Sequence, residues 1–413
     1  MASPSGGNSR INPFSSPALL SLWGGEFASR IGESIFQIAL VWYLVEATGS
    51  GLRTGLVTMI SFLPAIVVGV WAGVLIDRWP LRRVLLGADL ARAVLALSIP
   101  ALFLAGALPV WAVGVLAFLL TSGSAFFNPA RDALIPLLTP PGGLLGANSL
   151  VQSAWQFSLL IGPFVAAAVL PYVATVYLFG LVGLAFALSF GLLLPLAAPP
   201  AGAGGATLVA AAAGGFLDEF RAGLAALWQD RRVFWVWAIT VANNFFLMGP
   251  VIVGVPFYVK NHLGGSGSEF ALVEGTYAGG MIISTWLISR YGGRFNPIRL
   301  LMAGMVYDGL SYLPLLWVTT LEGTLLTIFI HSLGIPTITI SRLTALHRMV
   351  PKAVQGRVFS NFNLAVNGMT ALSIGVVGLV LVWLPVNRLF AVIGLLSAAC
   401  GVAGLVAPAL RRT

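Results

Sequence analysis

The sequence predicts an all-α membrane protein whose twelve transmembrane helices form two pseudo-symmetric six-helix bundles. Three observations predict it. Lys, Arg, Asp and Glu make up 8% of the 413 residues while hydrophobic residues make up 58%, against roughly a quarter charged in a soluble protein. Twelve apolar stretches reach the ~20 residues that a helix needs to cross a hydrocarbon core about 30 Å thick. An uncharged Ala/Gly/Pro connector separates the first six stretches from the last six.

The same composition excludes whole classes of function. A chain with so few charges is not a soluble enzyme, a disordered tail or a disulfide-stapled secreted domain. One cysteine, Cys400, excludes an intramolecular disulfide and a thiolate cluster. His262, His331 and His347 stand in three separate segments, so neither a metal nor another cofactor is expected. The net charge of +9 is spread along the chain rather than gathered in one basic domain, which argues against a nucleic-acid partner.

The spans run over 18–46, 54–76, 84–105, 108–127, 147–170 and 173–196 in the first half. In the second they run over 233–258, 269–290, 297–318, 323–344, 356–382 and 387–409. Span 1 is not expected to be a cleaved signal peptide, because Glu26, Arg30 and Glu33 interrupt it and no small-residue cleavage site follows. Basic residues orient the chain, since cytoplasmic loops are enriched in them. With the N-terminus inside, 17 of the 22 bases, Arg131 among them, fall on the cytoplasmic side. Arg53, Lys260 and Arg388 fall outside, and Arg30 and Arg92 lie within spans. Both termini are therefore expected in the cytoplasm.

The domain boundaries follow: a bundle over 1–196, a cytoplasmic linker over 197–232 and a second bundle over 233–413. Within the linker, Phe216, Phe220, Leu224, Leu227 and Trp228 fall on one face of a helix. Such a helix either lies on the inner membrane surface or caps the bundle. An internal echo supports the division. Trp42 to Gly51 closes span 1 as Tyr258 to Gly267 closes span 7, 216 residues later, and Arg78 and Arg83 meet Arg294 and Arg299 at the same offset.

Between spans 2 and 3 stands Gly73-Val-Leu-Ile-Asp77-Arg78-Trp-Pro80-Leu-Arg82-Arg83. Gly73 permits close helix approach, Asp77 can sit at a helix N-terminus where the dipole favours an anion, and Arg78 and Arg82 can bridge to it. This loop resembles the Gly-x-x-x-Asp-Arg-x-Gly-Arg-Lys signature of the major facilitator superfamily, with Pro80 and Leu81 as departures. The resemblance implies a latch of Gly73, Asp77, Arg78 and Arg82 that holds one orientation of the halves. Ser289-Arg290-Tyr-Gly-Gly-Arg294, the counterpart loop, lacks the acid. Gly162-Pro163-Phe-Val-Ala166-Ala167 in span 5 partly resembles the proton-antiporter segment of that superfamily, whose proline and small residues would kink the helix and bring the halves close. The arginine of drug/proton antiporters midway along span 4 is missing, since 108–127 carries no charge.

Gly25-Glu26-Phe-Ala-Ser29-Arg30-Ile-Gly32-Glu33 in span 1 is similar to the opening of the macrolide-efflux and enterobactin-exporter group, as are Asp89-Leu-Ala-Arg92, Asn128-Pro129 and Gly146-Ala-Asn148. The resemblance implies a monomeric transporter of the bacterial inner membrane, embedded in lipid, that moves a hydrophobic or amphipathic small molecule (a drug, macrolide or siderophore) in exchange for protons by alternating access. An importer or uniporter is the alternative on the same scaffold, and a non-transporting receptor is a remoter one. No Walker loop, HExxH or GxSxG points to an enzyme.

Charges inside a membrane mark function by default. Glu26, Arg30, Glu33 and Gln37 recur at helical spacing and share one face of span 1, with Trp23 a turn earlier. The resemblance implies that this span lines the central cavity. Arg30 can pair with one acid, Glu26 by preference, leaving Glu33 in surplus as the proton carrier; a static ion-pair stripe is the alternative. Asp89 and Arg92 are expected to neutralise each other, and the resemblance puts their span, like that of Asp308, at the periphery. Gln152, Trp155, Gln156, Asn243, Asn244, Phe246, Glu274 and His331 complete the expected substrate cavity.

Overall fold

The computed structural model describes residues 16–76, 78–140, 143–196, 221, 224–225, 227–352 and 354–411, and among them only helices and their connections occur. All twelve spans are helical. Ten helical runs are long and apolar enough to cross a membrane by composition alone. The other two are span 1, Pro17–Thr48, diluted by its polar face, and span 9, where the α-helix Pro297–Ser311 passes into a short turn at Leu313–Leu316.

Polar residues start the helices. Ser16, Ser50, Ser266 and Thr320 each accept a backbone N–H of the first turn, and Asn296 accepts two. Ser266 and Glu269 form a full capping box. The 216-residue echo recurs here, since Ser50 and Ser266 open spans 2 and 8 as matching caps. Gly49 and Gly264 precede them with φ of 57° and 68°, conformations a side chain resists.

Three spans are broken. Span 2 is Gly51–Phe62 followed by Pro64–Ile76. Span 10 is Leu321–Ser332 followed by Gly334–Met349, where Gly334 and Pro336 weaken the helical ladder and Ser284 Oγ donates to the carbonyl of Leu333 at 2.5 Å. Span 7 begins as Arg231–Gly249 and carries wide π-helical turns at Pro250–Gly254 and Tyr258–His262.

In the first bundle, span 1 packs on spans 5 and 6, span 3 on spans 4 and 6, and span 2 on span 4. Each pairing has its counterpart six spans later: 7 with 11 and 12, 9 with 10 and 12, and 8 with 10. Without a hydrophobic drive between helices in lipid, close packing of small residues holds such contacts together. Gly309 of span 9 lies so close to span 12 that a Cβ there would sit 2.5 Å from the Ala398 nitrogen.

The bundles meet along spans 2 and 11 and along spans 5 and 8. Their close contacts gather at the end opposite Ser16 and Leu410, here called distal. A Cβ on Gly378 would stand 2.6 Å from the Gly51 carbonyl oxygen and 2.8 Å from the Gly55 Cα. Lys260 Nζ donates to the Val45 carbonyl at 2.9 Å, Ser268 Oγ to the Ala167 carbonyl at 2.7 Å, and Trp42 stacks on Phe270 at 5.5 Å. The distal end is thus sealed.

Outward-facing side chains are largely apolar, as lipid requires. Exposed Trp111, Tyr172, Trp317 and Trp383 mark the distal end, and Trp79, Trp228, Tyr291 and Phe295 the proximal one. Two such girdles match the aromatic belts of membrane interfaces.

Of the expected linker helix, 215–220, 222–223 and 226 lie outside the described residues, as does the connector before it. Near its end, Leu227 is buried in the core of the second bundle, and Trp228 stacks on Phe234 at 4.4 Å. Span 4 corrects the sequence boundaries. Its helix is Val110–Leu138, continuing through Pro129 and Pro136, so Arg131 and Asp132 belong to the span and not to a loop.

Candidate functional site

The shared face of span 1 carries the densest set of charges. Arg30 donates through Nε to Glu26 Oε1 at 2.7 Å and through Nη1 to Glu33 Oε2 at 2.8 Å. Its remaining nitrogen, Nη2, donates to Asn128 Oδ1 of span 4 at 2.8 Å. The guanidinium fork thereby ties two turns of one helix to another helix, a geometry that lysine cannot supply.

Two more arginines enter from neighbouring spans. Arg92 of span 3 donates to Glu33 Oε1 at 2.9 Å, to Ser124 Oγ at 3.1 Å and to Ser29 Oγ at 3.0 Å, and it pairs with Asp89. Its guanidinium lies between the rings of Phe127 and Phe186, 4.5 and 4.4 Å from their centroids. Arg131 of span 4 pairs with Glu26 and, at 2.8 Å, with Asp132. Ser124 Oγ donates to Glu33 Oε1 at 2.7 Å, and Ser189 Oγ to Asp89 Oδ2 at 2.5 Å.

Two expectations are corrected here. Arg30 does not leave an acid in surplus, because Glu26, Glu33 and Asp89 are matched by Arg30, Arg92 and Arg131. Asp89 and Arg92 do pair, but not at a periphery: Arg92 is fully buried and turned toward span 1. Within the network, Glu26 is 1% exposed while the Glu33 side chain keeps 21%. Of Glu26, Glu33 and Asp89, Glu33 is the acid that solvent reaches. Gln37 continues the face and is exposed, and Trp23 donates to Ser153 Oγ at 3.3 Å. Gln152 is exposed and Trp155 and Gln156 are half-buried on span 5.

The second bundle holds a small cavity of about 60 Å³. Asn243, Asn244 and His331 line it, together with Tyr277, Arg342 and Asp308. Asn243 donates to Ser397 Oγ at 2.7 Å and Asn244 to Thr370 Oγ1 at 2.8 Å, so both amides also brace neighbouring spans. Phe246 is half-buried against Phe245, and Glu274 is half-buried without a hydrogen-bond partner among the described residues. Asp308 corrects the peripheral expectation for span 9: it is fully buried and faces His331.

The latch is only partly visible. Asp77 lies outside the described residues, as does the surface of Gly73. Arg78 is exposed, and Arg82 donates at 2.6 Å to the Leu194 carbonyl at the end of span 6. In span 5, Gly162 meets span 1 of its own bundle, where a Cβ would lie 2.5 Å from that of Ser34. The next aromatic, Phe164, reaches Gly275 of the other bundle.

Ser124, Arg131, Asp132 and Ser189 are the network members that sequence reasoning missed, and Ser29 and Asn128, read there only as parts of motifs, join them. Asn128 and Arg131 stand one helical turn apart, a signal hidden by reading Pro129 as the end of the helix.

Solved structures share this architecture. A peptide transporter POT in complex with sulfate superposes with a TM-score of 0.72 at 17% identity, over 96% of this chain and 95% of that one. A bacterial homolog of the human lysosomal transporter Spinster, inward-facing and unoccupied, does so with 0.71 at 14% identity, over 97% and 96%. Among sequences, macrolide efflux protein A of Streptococcus pyogenes is 29% identical over 298 residues, 70% of this chain and 71% of the relative. Multidrug efflux pump Tap of Mycolicibacterium fortuitum is 32% identical over 153 residues, 36% of this chain and 37% of the relative. The family model of the Major Facilitator Superfamily matches residues 22–374, and this integral membrane transporter of small molecules belongs to that superfamily.

Proposed function

We propose that the protein exports a hydrophobic or amphipathic small molecule from the cytoplasm in exchange for protons. One observation carries the coupling: Glu33, partly open to solvent, holds the guanidinium groups of Arg30 and Arg92 from two different spans. A proton on Glu33 would remove the charge that holds both. Arg30 would then keep Glu26 and Asn128, Arg92 would keep Asp89, and the polar tie between spans 1 and 3 would shrink to the Arg92–Ser29 hydrogen bond.

The relatives named for macrolide and multidrug efflux support export and the substrate class. The distribution of bases supports a cytoplasmic proximal end with both termini inside, in the inner membrane of a bacterium. The sealed distal end then corresponds to a carrier open to the cytoplasm, ready to load. Residues 1–196 and 233–413 act as the two rocking units, joined by 197–232, in a monomer surrounded by lipid. Gly73, Asp77, Arg78 and Arg82 form the latch of the opposite orientation. Gln37, Gln152, Trp155 and Gln156 offer polar and aromatic contacts to the substrate from the first bundle, and Asn243, Asn244, Phe246, Glu274 and His331 from the second.

Everted membrane vesicles carrying the protein test the reading. An imposed proton gradient, acid inside, should drive uptake of a macrolide or a lipophilic dye, and a protonophore should abolish it. Uptake that ignores the gradient across such a panel would contradict proton-coupled export.

A further inference from the structure

Glu26, Glu33 and Asp89 of the first bundle have arginine partners; Asp308, buried in the second, does not. Asp308 is completely buried, and neither carboxylate oxygen accepts a hydrogen bond from any described residue. Its nearest basic group is His331, whose Nδ1 lies 3.3 Å from Oδ1. That nitrogen is directed instead at Ser311 Oγ, 3.0 Å away, and at the Asp308 carbonyl, 3.3 Å away. Among the described residues His331 Nε2 has no partner, nor does the hydroxyl of Tyr312, whose ring stacks on the imidazole at 3.8 Å.

An ionised carboxylate without donors in so dry a place is strongly disfavoured, and the burden falls away once the group is neutral. The surroundings supply little competing charge. Span 8 brings Glu274 and Tyr277, span 9 adds Tyr307 and Tyr312, and span 10 brings Arg342 on the cavity wall. Span 12, packed behind span 9, has Cys400 in the proximal core and presents Gly394 and Ala398 next to Gly309. Span 7 faces the cavity with Asn243 and Asn244.

The pair also sits across a joint. His331 closes the first half of span 10, and the break follows at Leu333. Gly334, just past it, lies close enough to span 9 that a Cβ would stand 3.3 Å from that of Asp308. Broken helices beside a buried site are where transporters place moving parts.

We propose that Asp308 and His331 form a proton-binding site of the second bundle, separate from the span 1 network and loaded in the distally sealed state. When span 10 swings at the Leu333–Gly334 joint, the cavity admits water and the carboxyl proton passes to it, leaving the carboxylate hydrated. The site rests on the proton-coupled reading for its role in transport, but its occupancy is measurable without transport.

Infrared difference spectroscopy of the purified full-length protein in lipid nanodiscs, titrated with pH, tests it. The wild type should show a carbonyl band of a protonated carboxylic acid that Asp308→Asn removes, and His331→Gln should move the titration midpoint of that band. A spectrum unchanged by Asp308→Asn overturns the site. If that variant does not assemble, Asp308→Glu keeps the acid and should shift the band, and a band indifferent to both Asp308→Glu and His331→Gln overturns it equally. Proton flux in proteoliposomes separates the two readings: a wild type that moves no protons contradicts the coupling, whereas the band alone decides the site.

Discussion

Arg92 of span 3 donates to Glu33 of span 1 at 2.9 Å while its guanidinium is clamped between Phe127 and Phe186. The contact joins two spans through a charge that has no access to water. Removing one partner of a buried pair leaves the other uncompensated, at about 3–5 kcal/mol. Arg92→Met should therefore lower the thermal unfolding midpoint in detergent strongly, and Arg92→Lys by less. Pairing Arg92→Met with Asp89→Asn should recover part of the loss. Equal midpoints for wild type and Arg92→Met would show that the clamp holds nothing.

Arg131 and Glu26 should behave as a coupled pair. Residues in one ion-pair network show interaction energies of about 0.5–3 kcal/mol in a double-mutant cycle. Arg131→Met and Glu26→Gln should each destabilise the protein, and the double variant should be more stable than the sum of the singles requires. Strict additivity would remove Arg131 from the network.

How much of this was legible in the chain differs by element. Spans could be counted because lipid imposes apolar runs of a minimum length, and the stripe Glu26, Arg30, Glu33 followed from helical spacing alone. Its partners did not. Arg131 reads as a loop base until one knows that span 4 runs on through Pro129, as membrane helices tolerate. The resemblance puts the span of Asp308 at the periphery, and spacing does not correct it, because spacing gives a residue's face on its own helix but not which neighbour that face meets. His331 and Asp308 stand 23 positions apart on two spans, and only their packing brings them together.

The distal seal depends on the absence of side chains. A Cβ on Gly378 would overlap the Gly51 carbonyl and the Gly55 Cα, and overpacking a close contact costs about 1–3 kcal/mol. Gly378→Val should bias the carrier toward the distally open state. In a Cys400→Ala background, a cysteine introduced near Gly51 should then label several-fold faster with a membrane-impermeant maleimide added from the distal side. Unchanged labelling would mean that the seal lies elsewhere.

Asp230 caps span 7 from outside the membrane. Its carboxylate accepts the Arg232 backbone N–H at 2.8 Å and the Arg232 guanidinium at 2.8 Å. The side-chain hydrogen bond with Arg232 is the main cause that holds its pKa below the ordinary carboxylate value. A depressed folded pKa means that the stabilisation is fully present above the unfolded value, ~3.9, and is lost as pH falls through the folded one. Asp230→Ala should therefore cost about 1 kcal/mol at neutral pH. The difference from wild type should vanish only in strong acid. A difference that persists there would assign the effect to packing and not to the cap.

Proton-coupled export through the span 1 network is tested most directly by Glu33→Gln in proteoliposomes that hold a pH-sensitive dye. Glutamine keeps the size and can still accept from Arg30, but it cannot exchange a proton. Wild-type protein should move protons against a gradient of its exported substrate. Glu33→Gln should bind that substrate with near-normal affinity while its substrate-driven proton flux falls by at least about tenfold, equivalent to 1.4 kcal/mol or more in the coupled step. Proton flux at the wild-type rate in Glu33→Gln would contradict the assignment.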